Sequence, residues 1–157
     1  MRMQSPRKAV RSTAMGLFEK MMGHARDFSR AMGTTDEEVE HAARISPREA
    51  ELRAELADDV EQGSGPRRLA LLFSGDVQGV GFRWTNQSLA QDRHLTGWVK
   101  NLPDGTVQME IQGPPQALAA HLERIHAYYA RFGNRIWLEA ADDAAWLPND
   151  ANFDVRY

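Results

Sequence analysis

The stretch Gly75-Asp76-Val77-Gln78-Gly79-Val80-Gly81-Phe82-Arg83 decides how this chain folds. It follows a compact apolar run, Leu69 to Phe73, and precedes a segment with helical spacing, so it reads as the turn between a buried strand and a helix. Gly79 and Gly81 take positive φ without the Cβ penalty other residues meet, so successive backbone N–H groups can turn toward one anion. The positive end of the helix adds to that potential, and Arg83 brings a planar fork of donors to the same oxygens. The expectation is a phosphate cradle made by Gln78, Gly79, Val80, Gly81, Phe82 and Arg83.

Working outward, Phe82 to Arg93 reads as a helix with Phe82, Thr85, Asn86 and Leu89 turned inward. Gly97 to Asn101 and Thr106 to Gln112 read as strands joined by Leu102-Pro103-Asp104-Gly105, in which proline presets φ and Asp-Gly closes a hairpin. Leu118, Leu122, Ile125, Tyr129 and Phe132 mark the buried face of a second helix that Gly133 ends. Arg135 to Ala140 alternates as another strand, and Asn152 to Tyr157 supplies a short closing one. The order β-α-β-β-α-β predicts an α+β, ferredoxin-like fold: an antiparallel sheet with two helices on one face.

Two segments in this order, VQGVGFR (Val77 to Arg83) and GWVKNLPDG (Gly97 to Gly105), resemble the signature motifs of the acylphosphatase family. The resemblance runs from about Arg67 to Tyr157, and nothing before Pro66 takes part in it. It implies hydrolysis of the carboxyl-phosphate bond of small acyl phosphates, with Arg83 and the loop amides holding the phosphate and Asn101 orienting the attacking water. It also implies that a phosphate oxygen takes the proton, with no metal and no cofactor. The chemistry suits these residue types: an acyl phosphate already has a good leaving group, so charge stabilisation and alignment suffice. An asparagine side chain both donates and accepts, which lets it hold a water without acting as a base. Asp76 departs from the family, whose members often carry a basic or neutral residue there, and a carboxylate facing the loop would oppose anion binding. Larger relatives fuse this domain to zinc-finger and carbamoyl-transfer modules; the chain has no Cys for such fingers, so the expectation is the stand-alone type with a tail.

Length and composition suit one domain plus an appendage: 157 residues, 42% hydrophobic. Zero cysteines exclude a disulfide framework, a thiol nucleophile and a cysteine metal site, and fit the cytoplasm. No apolar run reaches the roughly 18 residues that span a bilayer, so no membrane partner is expected. The basic, serine-containing start has some features of an organellar presequence, which is the minor reading. A net charge of -3 argues against coating nucleic acid.

The composition breaks at Glu61-Gln62-Gly63-Ser64-Gly65-Pro66, which divides a helical or partly disordered extension, residues 1–65, from the domain, residues 66–157. Ala14, Phe18, Met21, Ala25, Phe28 and Met32 draw a narrow stripe along one predicted helix, suited to a protein partner or to self-association through residues 14–32. Thr35 with Glu38 and Ser46 with Glu49 have capping-box spacing, and Pro47 sits where a first helical turn tolerates it. These later helices have thin apolar faces, and the extension reads as independent of the domain.

Other chemistries lack their residues. The loop has no Gly-Lys-Ser/Thr ending for a nucleotide in the Walker mode, Ser74 and Ser88 have no base at a recognisable spacing, and His121 and His126, five apart, read as facing different sides of a helix, so no metal spacing emerges. Trp84, Trp98, Trp137 and Trp146 read as core or sheet-face packing. An RNA-recognition module shares the element order but reads bases with mid-strand aromatics, where this chain has Gln108 and Glu110. The remaining alternative to an enzyme is a noncatalytic phospho-ligand sensor that keeps the cradle.

Overall fold

The structure is a computed structural model that describes residues 33–157. The stripe predicted over residues 14–32, and the association predicted through it, lie outside the described residues. Among the described residues nine elements follow in chain order: α1 (Asp36–Ala42), α2 (Pro47–Gln62), β1 (Arg67–Gly75), α3 (Phe82–Asp92), β2 (Thr96–Asn101), β3 (Val107–Gly113), α4 (Pro115–Ala130), β4 (Ile136–Ala144) and β5 (Phe153–Arg156).

The strands form one sheet in the order β4-β1-β3-β2-β5. The first four pair antiparallel, as the ferredoxin-like reading expects, whereas β5 runs parallel to β2, with Gly97 opposite Phe153 and Lys100 opposite Arg156. The sheet is therefore mixed rather than antiparallel throughout, because the chain leaving β4 crosses to the far edge before it pairs. Period-two alternation sends Leu69, Leu71 and Phe73 of β1 and Val107, Met109 and Ile111 of β3 into one core. Phe82 of α3 and Leu118, Leu122, Ile125 and Tyr129 of α4 close it from above. Gly97 is a site of close approach: a Cβ there would lie 1.9 Å from the Glu110 carbonyl oxygen, so only glycine lets β2 lie this close to β3.

The opposite face of the sheet is polar and partly covered. Arg68, 3% exposed, donates to Glu110 (2.8 Å), Gln112 (3.0 Å) and Asp150 (2.8 Å), and Gln112 clasps both backbone groups of Leu147. The segment between β4 and β5 is thereby strapped across that face. Trp98 and Trp137 lie half-buried under the guanidinium groups of Arg156 and Arg135, but Trp84 and Trp146 are exposed, contrary to the packing role expected for all four. An aromatic alone does not reveal which side of an element is covered.

The extension is where sequence and structure differ most. Over residues 36–62 it packs on the domain, α1 against α4 and α2 against both α4 and β4. Thr35 forms the full capping box with Glu38. Ser46 caps α2 through the Glu49 amide, but the Glu49 carboxylate, fully buried, turns to Arg53 (2.7 Å) and to His126 of α4 instead of back to the cap. The Ser46 hydroxyl also donates to the Leu138 carbonyl (2.6 Å) and Arg48 to that of Ala141 (2.7 Å), both on β4. Leu52 and Leu56 are wholly buried in the common core. Both histidines of α4 are buried, His121 against Asn86 of α3 and His126 against Glu49 of α2, which covers a side that a two-helix layer would leave in water.

Arg67 adds ion pairs to Asp59, Glu55 and Asp143, but such partly exposed pairs contribute about 0–1 kcal/mol each. The two leucines dominate, at about 1.5–3 kcal/mol each by area. A chain beginning at Arg67 is therefore expected to lose about 3–6 kcal/mol in urea unfolding relative to the full chain. Equal midpoints and slopes for the two would restore the independent extension.

Candidate active site

The cradle loop is shaped by its glycines. Gly79 (φ 77°) and Gly81 (φ 71°) are both left-handed, and a Cβ on either would meet nothing within 4 Å. Backbone conformation, not crowding, is what requires glycine at both. Gly81 is the N-cap of α3 and makes no side-chain cap, so the first-turn donors are left open. From Gln78 to Trp84 no backbone N–H donates to an acceptor among the described residues; the first helical bond in this region is Thr85 N–H to the Gly81 carbonyl, 3.0 Å. Consecutive open donors at the positive end of an eleven-residue helix form an anion-binding surface.

Three contacts bring the other predicted residues to that surface. The Gln78 side-chain amide donates to the carbonyls of Leu102 and Thr106, 2.9 Å each, so the loop is stapled to the β2–β3 turn one residue beyond Asn101. Arg83 donates to the Arg156 carbonyl (3.1 Å), and Arg156 pairs with Lys100, the residue before Asn101. The turn itself is fixed by Asp104, whose carboxylate accepts from the Thr106 hydroxyl (2.6 Å) and amide (3.0 Å), contacts that lower its pKa. Gln78, Arg83 and Asn101 are thus drawn to one end of the sheet. The Tyr157 ring lies 4.8 Å from the Arg83 guanidinium carbon.

Asn101 Oδ1 is buried and has no hydrogen-bond partner among the described residues. A buried amide oxygen without a donor costs about 1–3 kcal/mol, so such a group calls for a hydrogen-bond donor from solvent or substrate. Asp76 does not face the cradle: one carboxylate oxygen accepts from the Arg135 amide (2.9 Å), while the Asp76 amide donates to the Arg135 carbonyl (2.8 Å). The departure from the family pattern therefore ties the loop's first residue to the start of β4. Among the described residues no group of three His, Asp or Glu is placed to hold a metal ion, and no helix is long and apolar enough to cross a membrane.

Behind the cradle lies support that the motifs alone do not reveal. Asn86, fully buried as expected, donates to the Phe82 carbonyl (2.8 Å) and holds its oxygen 3.0 Å from His121 Nε2 of α4. Because the Asn86 oxygen can only accept, His121 carries its proton on Nε2. The signal in the sequence was an asparagine four residues after Phe82 on the inward stripe; its histidine partner, 35 residues away, had none.

A family model described as Acylphosphatase matches residues 69–140. An acylphosphatase of Geobacillus thermodenitrificans is 41% identical over 93 residues, which cover 58% of this chain and 95% of that protein. One from Methanospirillum hungatei is 46% identical over 59 residues, 38% of this chain and 65% of its own length, so against that relative the chain spans just under two thirds. Among solved structures, HypF of T. kodakarensis is 24% identical with a TM-score of 0.51, over 58% of this chain and 12% of that one, a likeness of fold alone.

Burial pushes the His121 pKa down to about 3, with a smaller contribution from the Arg93 charge. The unfolded chain takes up a proton near pH 6.5 that the folded chain refuses until about pH 3. Within that window stability falls with acidification, by about 1.4 kcal/mol per pH unit from this group. His121→Gln, which retains a donor for Asn86, is expected to flatten the slope of unfolding free energy between pH 6 and about 4 relative to the wild type. An unchanged slope would remove His121 as its source.

Proposed function

Because this chain belongs to the acylphosphatase family, we propose that it hydrolyses small acyl phosphates to carboxylate and inorganic phosphate, with Arg83, Asn101 and the loop from Gln78 to Phe82 as its machinery. The observation that carries this reading is the run of N–H donors from residue 78 to 84 that meet no acceptor among the described residues, with Arg83 in that run and with Gln78 bonded to the turn that follows Asn101, whose buried oxygen likewise has no partner among the described residues.

In this scheme the loop amides and the Arg83 fork take the phosphoryl oxygens, where charge is spread as the bond to the leaving carboxylate loosens. Asn101 Oδ1 accepts a hydrogen bond from a water and so points the water's lone pair at phosphorus. The new P–O bond forms as the P–O bond to the acyl group breaks, the bonding pair leaves with the carboxylate, and the water's proton passes to a phosphate oxygen. No step is routed through a metal. Asp76 ties the first residue of the loop to Arg135, just before β4, and Gln78 ties the loop to the β2–β3 turn.

The partner is a small acyl phosphate, and the site of action is the cytoplasm. RNA binding on the sheet is disfavoured by the middle of the polar face, where Glu110 and Asp150 neutralise Arg68 beneath the strap from β4 to β5. A noncatalytic sensor would bind phosphate through the same donors and differs only at turnover.

Purified protein is expected to hydrolyse acetyl or benzoyl phosphate in the presence of chelator. Arg83→Ala is expected to lose phosphate inhibition and about 10²–10³-fold in kcat/KM, with Arg83→Lys also impaired because an ammonium lacks the two-pronged geometry. Asn101→Ala should retain phosphate inhibition but lose at least about 10²-fold in kcat. Normal turnover by Asn101→Ala refutes the water-positioning role, and phosphate binding without any turnover by the wild type establishes the sensor instead.

A further inference from the structure

We propose that Tyr129 is a positioning residue of the cradle: its hydroxyl holds the Val80 carbonyl away from the anion and so aims the Gly81 N–H at it. The proposal rests on the reading of the loop as a phosphate site.

The geometry begins with the peptide unit between Val80 and Gly81. In a trans peptide the carbonyl and the N–H point in opposite directions, and among the described residues no peptide is cis. Fixing the direction of the Val80 oxygen therefore fixes that of the Gly81 hydrogen. The Val80 oxygen lies 3.2 Å from the Tyr129 hydroxyl of α4, beneath the loop, whereas among the described residues the Gly81 N–H has no acceptor and nothing lies within 4 Å of where a Cβ would stand on it. With glycine on either side of Val80, at residues 79 and 81, this peptide has little steric resistance to turning over. A turned peptide would place a carbonyl oxygen against the phosphate in place of a donor.

Tyr129 has one hydroxyl proton and two neighbours. Thr85 Oγ1 lies 3.0 Å away and can donate its own proton to the phenol oxygen, which leaves the tyrosine proton for Val80. The ring is fixed by packing, buried among Phe82 (5.5 Å between centroids) and Tyr128 (5.0 Å). The helix that carries it is held from the far side as well: His126 is bonded to Glu49 of α2, and Ala130 packs on Val39 and Ala42 of α1. The hydroxyl therefore has a fixed origin from which to hold the loop, and α1 and α2 contribute to cradle geometry without approaching the substrate.

The test uses the full chain with inorganic phosphate as the probe. Tyr129→Phe keeps the ring and removes only the hydroxyl; phosphate is expected to inhibit or bind about three- to tenfold more weakly, KM to rise by a like factor, and kcat to change less. The Gly81 amide resonance, which should shift on phosphate addition in the wild type, is expected to shift less in the variant, a signature that loss of packing alone does not produce. Thr85→Val, which leaves the tyrosine proton on Val80, should bind phosphate within about twofold of the wild type. Unchanged phosphate affinity in Tyr129→Phe overturns the proposal while leaving the acyl phosphate reading intact, as does an equal loss in Thr85→Val. A wild-type chain that binds no phosphate overturns both.

Discussion

A backbone that offers its N–H groups to an anion must send its carbonyls somewhere else, and most of this structure serves that constraint. Two left-handed glycines turn the loop between β1 and α3, and the donors from residue 78 to 84 end unpaired among the described residues. Such an arrangement is unstable unless its flanks are anchored, because open donors gain nothing from the fold itself. Asp76 anchors the entrance to β4, Gln78 anchors the loop to the hairpin after Asn101, and Asn86 takes the Phe82 carbonyl at the exit. Each of these side chains bonds backbone atoms, so the cradle is held by its own main chain rather than by ion pairs that salt would screen.

Helix α4 stands behind that loop and is buried on more than one side. Its inner face meets the sheet, His121 meets α3, and its C-terminal half meets the two helices of the extension. The extension thus widens the helical cover of the sheet, with α2 packed on both α4 and β4 and its leucines in the common core. The interface uses two leucines and a polar lock, Ser46 and Glu49 against Leu138 and His126, instead of a broad apolar stripe. The lock is specific: a buried carboxylate is tolerated only where donors meet it, and Arg53 and His126 supply them.

The polar face of the sheet follows the same economy. Arg68 would be costly to bury alone, and it is buried because Glu110, Gln112 and Asp150 converge on it. That cluster straps the β4–β5 connection across the sheet and guides β5 to the parallel pairing with β2, which puts the Arg156 carbonyl under Arg83. The predicted phosphate arginine is therefore positioned by the last strand of the chain.

The sequence by itself determined the element order, the apolar faces of β1, β3 and α4, the glycine turn and the hairpin, because each follows from local backbone preference or from a short period of apolar residues. It also singled out Arg83 and Asn101, through two motifs whose spacing matches a family. Only the tertiary structure decided what those residues meet. That Glu49 is buried, that Asp76 turns to β4, that Tyr129 reaches Val80 and that His121 reaches Asn86 are contacts across 35 to 77 residues, and none leaves a local period behind. A glutamate on a helix with few apolar neighbours has the pattern of a solvated face until its distant histidine is seen. Local chemistry names the groups that can bind an anion, while long-range packing determines which way their peptides point.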